Sequence, residues 1–461
     1  MMLEYIHKVY FIGIGGIGMS ALARYFKAKQ CDVCGYDRVE TSLTRKLCEE
    51  GIPVHYSDDI ASIPESYKSQ KEQVLVIYTP AVPTTHREMN WFRENGYTMM
   101  KRSGVLGMIS RAKETIAVAG THGKTSVSTM IAHLLTQAGI GCDAFLGGIS
   151  KNYQTNLLLS ATSEYLVAEA DEYDRSFLRL YPGIAVVTAI DPDHLDIYGT
   201  YEQLREAFDQ FVSQIRKGGI LVHKYGLEIK TTKDIEIYTY SLDDSRADFY
   251  AEGVQIENGR YSVNVHTPHG NIHSVHIGVP GMVNVENSIV ALAIAALVGA
   301  DHEKIKAGLA SFEGVQRRFD YQIRRTDMVY IDDYAHHPEE LRFTIESVRE
   351  LYPGKRITGI FQPHLYSRTR DFADGFAKSL SLLDELILLE IYPAREEPID
   401  GVSSGIIFEK VSINEKIMCT KGEIIDILGK HRPEVLLTLG AGDIDTLVVP
   451  IENLFSKDDD N

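Results

Sequence analysis

Several groups of residues in this chain have types and spacings suited to chemistry on phosphorylated substrates. The first is Gly120-Thr121-His122-Gly123-Lys124-Thr125-Ser126. In such a loop backbone amides cradle phosphates, the lysine neutralises the terminal phosphate and the threonine hydroxyl joins Mg²⁺. The generic phosphate loop carries a glycine where this chain has Val118, so the glycine-bounded part is shorter here. A chance G-K-T in a surface loop is the bland alternative. Against it stands the setting, an apolar strand at 115–119 before the loop and a helical run at 127–135 after it.

A second glycine loop, Gly13-Ile14-Gly15-Gly16-Ile17-Gly18, is followed by Met19 and Ser20, with Asp37 about nineteen residues beyond Gly18. Glycines there permit a tight turn and the close approach of a diphosphate to a helix N-terminus, and an acid at that distance can accept from a ribose hydroxyl or a base. From these residues NAD(P), FAD and a nucleotide sugar all fit, as does a bare tight turn. Two acidic stretches, Glu169-Ala170-Asp171-Glu172-Tyr173-Asp174 and Asp191-Pro192-Asp193-His194-Leu195-Asp196, each follow an apolar strand. Ligands gather at the carboxyl ends of parallel strands, and Mg²⁺ takes one or two carboxylates with phosphate oxygens and water, so these acids suit a metal beside Lys124.

In the last third, Asp332-Asp333-Tyr334-Ala335-His336-His337-Pro338 and Phe361-Gln362-Pro363-His364-Leu365-Tyr366-Ser367-Arg368-Thr369-Arg370 also follow apolar strands. They read as a polar cleft, with Arg368 forking onto a carboxylate and Asp333 accepting from a ribose. Zinc on the Asp and His residues, or a plain surface loop, are the alternatives.

The elements that must hold these groups alternate strand and helix: strands at 9–12, 32–36 and 74–78, helices at 19–28 and 43–50. That order predicts parallel sheets with crossover helices. The pattern pauses around 101–114, which puts a boundary near residue 110. Short alternating runs at 248–279 predict an antiparallel part, and 314–319 reads as a hinge. With 461 residues, about three domains are expected. The fold class is therefore α/β, with Rossmann-like N- and C-terminal domains (1–110 and 316–461) around a central ATPase-type parallel sheet with a small antiparallel part (111–315).

A formal charge of -17 repels a nucleic-acid backbone. The longest aliphatic run, at 289–298, is too short for a membrane span, and the N-terminal residues lack the pattern of a signal peptide. A cytoplasmic protein is expected, with no nucleic-acid partner and no membrane insertion. Cys31 and Cys34 match C-x-x-C but fall in a strand pattern, where residues three apart face opposite sides.

Taken in order, G-I-G-G-I-G-M-S at 13–20, G-T-H-G-K-T at 120–125, E-A-D-E at 169–172, D-H-L-D at 193–196, R-R-F-D at 317–320, D-D-Y-A-H-H-P at 332–338, F-Q-P-H at 361–364 and G-A-G-D-I at 440–444 resemble the Mur ligase family. The resemblance covers nearly the whole chain. It implies a UDP-sugar domain, an ATPase domain and a C-terminal domain for nucleotide and amino acid. The first loop (Gly13, Gly15, Gly16, Gly18, Met19, Ser20, with Asp37) would then bind a UDP-sugar.

By the same likeness Gly120 to Ser126, Asn284, Asn287, Arg318 and Asp333 would bind ATP, with Val283 standing where the family has His. Thr125, Glu169 and His194 would lie at the metal, and Tyr334, His336, His364 and Arg368 at the amino acid. Lys124, His194, His336 and Arg368 form the expected catalytic set. Residues 201–211 hold no lysine, unlike later members that carry a carbamylated lysine there, with Phe208 or Asp209 near that place. The activity so implied is ATP- and Mg²⁺-dependent ligation of L-alanine to the carboxylate of UDP-N-acetylmuramate, an early cytoplasmic step of peptidoglycan synthesis, by a monomer or homodimer. A ligase for a recycled tripeptide, an NAD dehydrogenase and a non-catalytic nucleotide binder are the competing expectations.

Overall fold

The computed structural model describes residues 5–192, 195–231, 234–257, 260–394 and 396–456. Runs such as Val9-Tyr10-Phe11-Ile12 and Val74-Leu75-Val76-Ile77 are buried throughout, as strands covered on both faces require. They belong to a parallel sheet made of β1 (Lys8–Ile12), β2 (Asp32–Tyr36), β3 (Val54–His55), β4 (Val74–Tyr78) and β5 (Thr98–Lys101), in the order β3-β2-β1-β4-β5. The winding reverses between β1 and β4, which is where ligands bind in open α/β sheets. The 13–18 loop leaves β1 at that point.

The second sheet contains β6 (Glu114–Ala119), β7 (Asp143–Ser150), β8 (Thr155–Leu158), β9 (Tyr165–Glu169), β10 (Ile184–Val187), β11 (Ile220–Lys224), β12 (Glu236–Ser241), β13 (Phe249–Glu257), β14 (Arg260–His266) and β15 (Ile272–Ile277). Its order is β15-β14-β13-β12-β11-β10-β6-β9-β7-β8. β6 lies between β9 and β10, parallel to both, so the loop at 120–126 emerges with Glu169 on one side and Thr188 on the other. The strands expected at 248–279 are β13 to β15, which extend this sheet, and β7 and β8 form an antiparallel hairpin at its other end.

The third sheet has β16 (Asp320–Arg324), β17 (Val329–Asp333), β18 (Ile357–Phe361), β19 (Glu385–Leu388), β20 (Glu415–Met418) and β21 (Val435–Leu439), in the order β16-β17-β21-β18-β19-β20. Only the β16–β17 pair is antiparallel among its described pairings. The chain divides into two compact units, one of Met1–Val254, Val263–His276 and Glu286–Phe312, the other of Gln255–Ser262, Ile277–Val285 and Glu313–Asn461. Within the first unit one apolar core runs from Val9 and Phe11 through Val105 and Leu106 to Phe177 and Phe208, so the first two sheets share it. The second unit has separate cores on the two faces of its sheet, around Phe361 and around Ile360.

The sequence pattern differs from the structure at 101–114, where a helix, Arg102–Arg111, occupies the expected break. Gly104 and Gly107 lower its helical signal. Gly107 has a tertiary reason, since a Cβ there would come within 2.4 Å of the Arg179 carbonyl oxygen.

Gly35 on β2 is under a similar constraint, its absent Cβ falling 2.4 Å from Phe11 O on β1. Gly35→Ala must push these strands apart and should destabilise the first unit by about 2 kcal/mol, read as a lower urea midpoint. An unchanged midpoint would show that the strands yield freely.

Candidate active site

The loop at 13–18 is held by its own chain. Gly13 N and Ile14 N donate to Tyr36 O (2.8 and 3.0 Å), and Gly15 N donates to Asp37 Oδ2 (2.7 Å). The other Asp37 oxygen accepts from Arg38 N at 2.8 Å. Asp37 therefore fixes the turn. Gly13 has φ +85, which only glycine adopts readily. The helix Ile17–Ala28 begins at Gly16 with no side-chain cap, so its first amides are not taken up by a capping group, in contrast to the helices capped by Thr200 and Asp301. Met19 and Ser20 are buried in its first turn.

The 120–126 loop wraps around Lys124. Gly120 (φ +136) and Gly123 (φ +80) turn the backbone so that Lys124 Nζ donates to Gly120 O (2.6 Å) and to Glu172 (2.8 Å). The Lys124 side chain is 13% exposed and that of Glu172 1%. Burial opposes the lysine charge, but the carboxylates of Glu172, Glu169 and Asp171 outweigh it and hold the pKa above the usual lysine value. Thr125 Oγ1 donates to Glu169 Oε2 at 3.0 Å. Thr121 Oγ1 accepts from Asp191 N (3.0 Å), and the His122 ring lies 3.6 Å from the Asp191 carboxylate. The helix Lys124–Gln137 starts at Gly123, again without a side-chain cap. Ser126 lies in its first turn.

The Thr125 hydroxyl and Glu169 carboxylate are hard oxygen donors of the kind Mg²⁺ takes. Gly147 leaves them room, since a Cβ there would fall 1.7 Å from Glu169 Oε2. No group of three or more His, Cys, Asp or Glu that could hold a metal occurs among the described residues. His194, expected at the metal, and Asp193 lie outside the described residues.

A cavity of about 260 Å³ opens at the first loop, lined by Gly16, Gly18 and Met19 and by Gly147, Glu169 and Asp171 of the second sheet and its loops. It reaches the phosphate loop through Glu169, which accepts from Thr125. Arg102 lines it too, 3.6 Å from Asp171 and so close to Gly18 that a Cβ there would meet its guanidinium at 2.7 Å. Arg102 and Thr188 were not evident from the sequence. Thr188 Oγ1 donates to His122 O and, at 3.2 Å, to Ala119 O, fixing the phosphate loop from β10. The one available signal for Arg102 was a basic pair ending an apolar strand.

Asn287, in the first unit, points its Oδ1 at Gly123, 3.0 Å from the place of a Cβ. Asn284 belongs to the second unit and donates to Pro280 O at 2.7 Å. In that unit Asp333 is buried and accepts from Phe319 N and Ala335 N, both at 2.8 Å. Burial pushes its carboxyl up to about 6, against the pull of Arg318. Arg317, also missed in the sequence, donates to Gly440 O at 2.6 Å and lies 3.3 Å from Asp332. Arg317 and Arg318 both lie over the Tyr334 ring, 5.1 and 4.8 Å from its centroid.

Tyr334, His336 and His364 come together, with ring centroids 5.2 Å apart for the first pair and 6.1 Å for the second. His336 Nδ1 donates to Tyr334 O (2.9 Å), which leaves Nε2 as acceptor. Burial pushes this imidazole down to about 4; Glu340 resists the shift and the Arg368 charge assists it. His336 is thus neutral at neutral pH, with Arg368 and, more weakly, Arg318 as the cations that act on it.

Sheets with glycine loops at the carboxyl ends of β1 and β6 define an α/β protein of the phosphate-loop class. The chain belongs to the Mur ligase family, and with it to the ATP-dependent ligases. Three family models match: "Mur ligase family, catalytic domain" over residues 8–114, "Mur ligase middle domain" over 118–295 and "Mur ligase, glutamate ligase domain" over 317–442. A UDP-N-acetylmuramate–L-alanine ligase of Parabacteroides distasonis is 53% identical over 459 residues, covering 99% of both chains. The crystal structure of a UDP-N-acetylmuramate–alanine ligase from Thermotoga maritima superposes with a TM-score of 0.82 at 27% identity, covering 98% of this chain and 99% of that one. A murein peptide ligase from Psychrobacter arcticus shares the fold, with a TM-score of 0.69 at 21% identity over 97% of this chain and 98% of its own.

The low pKa of His336 has a measurable consequence. Between the usual 6.5 and about 4 the unfolded chain binds a proton there that the folded chain does not, so this contribution to stability is lost as pH falls through that window. The raised carboxyl of Asp333 acts in the opposite sense, its contribution fading as pH rises towards 6. His336→Gln should therefore gain stability relative to wild type as pH drops from 7 to about 4.5, followed by urea midpoints. Parallel pH profiles for the two proteins would show that His336 titrates normally.

Proposed function

We propose that this chain joins the amine of L-alanine to the muramyl carboxylate of UDP-N-acetylmuramate at the expense of ATP, in the cytoplasm, as an early step of peptidoglycan synthesis. The observation that carries the reading is the cavity lined both by the 13–18 loop and by Glu169, the partner of Thr125 on the phosphate loop. A sugar nucleotide held by the first loop would there meet a nucleotide held by the second. The relatives named above support the same substrates. No described helix is long and apolar enough to cross a membrane. We assign residues 1–110 to the UDP-sugar, 111–315 to ATP and 316–461 to nucleotide and amino acid, in a monomer or homodimer.

A free carboxylate is a poor acyl donor. In the proposed reaction a carboxylate oxygen bonds to the γ-phosphorus as the bond to the β–γ bridging oxygen breaks, giving an acyl phosphate and ADP. The alanine nitrogen then bonds to the acyl carbon, the carbon–oxygen bond to phosphate breaks, and the surplus proton leaves with the phosphate. Protein groups contribute mainly by positioning and by stabilising charge.

The amides at Gly16 and Gly18, with the turn through Met19 and Ser20, receive the UDP diphosphate, while Gly13 and Gly15 shape the loop, Gly15 by donating to Asp37. Lys124 shifts part of its bonding from Glu172 and Gly120 O to the γ-phosphate, and the amides of 120–126 take the remaining oxygens. Mg²⁺, held by Thr125 and Glu169 with His194 nearby, would neutralise charge on the β- and γ-phosphates. Asn287 belongs with the phosphate loop in the first unit, and Asn284, Arg318 and Asp333 of the second are assigned to the nucleotide by the family likeness. Arg368 forks onto the alanine carboxylate, and His336 Nε2 accepts from its amine without adding a repelling charge.

Purified protein with ATP and Mg²⁺ should release phosphate only when UDP-N-acetylmuramate and L-alanine are both present. Release that ignores either one would overturn the reading, and faster use of a tripeptide than of L-alanine would favour a recycling ligase. Lys124→Met should lower kcat by about 10² to 10³, since the lysine acts on charge that develops in the transition state.

A further inference from the structure

The helix Ile17–Ala28, which starts at the first glycine loop, packs against β7 and β8 of the second sheet. At that contact a polar side chain sits where an apolar one would be expected. Asn156 on β8 is completely buried. Its Nδ2 donates to Ile17 O (2.5 Å) and to Ser20 Oγ (3.0 Å), and its Oδ1 accepts from an Arg24 guanidinium nitrogen (2.5 Å). Arg24 in turn forks onto Glu50 at 2.6 and 2.9 Å. Every hydrogen-bonding group of the Asn156 amide is used, and two of its three bonds fall on the first turn of the helix. A fully satisfied buried amide specifies one geometry, whereas Leu or Val in the same space would only fill it.

The hairpin that carries Asn156 is itself anchored. Lys46 Nζ donates to Gln154 O (2.6 Å) and Asn152 Nδ2 to Ser311 O (2.8 Å). The Tyr153 hydroxyl meets His133 Nδ1 at 2.9 Å, and His133 Nε2 meets Ser311 Oγ at 3.1 Å. His133 lies on Lys124–Gln137, the helix of the phosphate loop. β7, the other strand of the hairpin, passes Glu169 at Gly147. The amide at 156 is thus fixed in the frame of the phosphate loop.

We propose that Asn156 is a positioning residue for the sugar-nucleotide site. It holds the opening turn of Ile17–Ala28, whose amides receive the diphosphate, in register with the Gly147 and Glu169 wall of the cavity and, through the Thr125 bond to Glu169, with the phosphate loop. The inference rests on the reading of the 13–18 loop as the UDP-sugar site. Removing the amide leaves the turn free to rock, which weakens sugar-nucleotide binding and spares the nucleotide loop.

The test uses the full chain with Asn156→Leu, of similar size, and Asn156→Asp, which keeps an acceptor for Arg24 but loses the donors. Both variants should raise KM for UDP-N-acetylmuramate about tenfold, the scale of one or two lost hydrogen bonds, while KM for ATP stays within about twofold and kcat within about threefold. Isothermal titration of ATP checks that each variant is folded, and Asn156→Asp carries the test if Asn156→Leu does not fold. An unchanged KM for the sugar nucleotide in a folded variant, or equal rises for all three substrates, would overturn the positioning role. Failure of wild-type protein to bind UDP-N-acetylmuramate in the same titration would instead overturn the reading of the loop on which the inference rests.

Discussion

The ammonium of Lys124 is the charge around which the middle of the molecule is arranged. A largely buried cation needs a counter-charge, and Glu172, still more deeply buried, needs one equally. Each serves the other. Gly120 and Gly123 bend the loop so that a carbonyl joins the pair, and the Tyr198 hydroxyl fixes Glu172 by donating to its backbone oxygen at 2.6 Å. Asp171 is drawn to Arg102, and Glu169 accepts from Thr125. Among the described side chains three carboxylates thus face two cations at a place suited to polyphosphate. The excess of negative charge explains why a divalent cation belongs with the nucleotide in the proposed reaction, and why a lysine alone would not admit it.

The two glycine loops depend on the same topological device. Each leaves the carboxyl end of a parallel strand, β1 or β6, that has strands on both sides, and each runs into a helix whose first amides have no side-chain cap. Because the first two sheets share one apolar core, the distance between the loops is set by packing and not by a flexible tether. Arg102 makes the connection polar as well as apolar, lying against Gly18 on one side and Asp171 on the other.

Much of this was legible in the sequence because the informative features are local. A glycine with positive φ, a strand before it and a helix after it fall within a few residues. The order of the sheets was legible for the same reason. Features that need long-range contacts were not. Arg317 joins residues 317, 332 and 440, and nothing in R-R-F-D distinguishes it from Arg318. Thr188 acts through the backbone of a loop on another strand. The helix Arg102–Arg111 was hidden by glycines whose reason is a tertiary contact. The neutrality of His336 is a property of burial, which spacing does not encode.

The acids at motif positions carry a further lesson about where binding energy comes from. Asp37 and Asp333 each stand at a spacing that suits a ribose hydroxyl, yet in both the carboxylate oxygens accept backbone N–H groups. Their first task is to hold a turn. Asp37 does so for the loop whose amides face the cavity, so its effect on a bound diphosphate runs through the backbone. A carboxylate that touched a diphosphate directly would repel it; one that orders the amides around it helps. The glycines are therefore the informative part of the pattern, because they leave the backbone open to the anion, and the acid is the part that keeps that backbone in place.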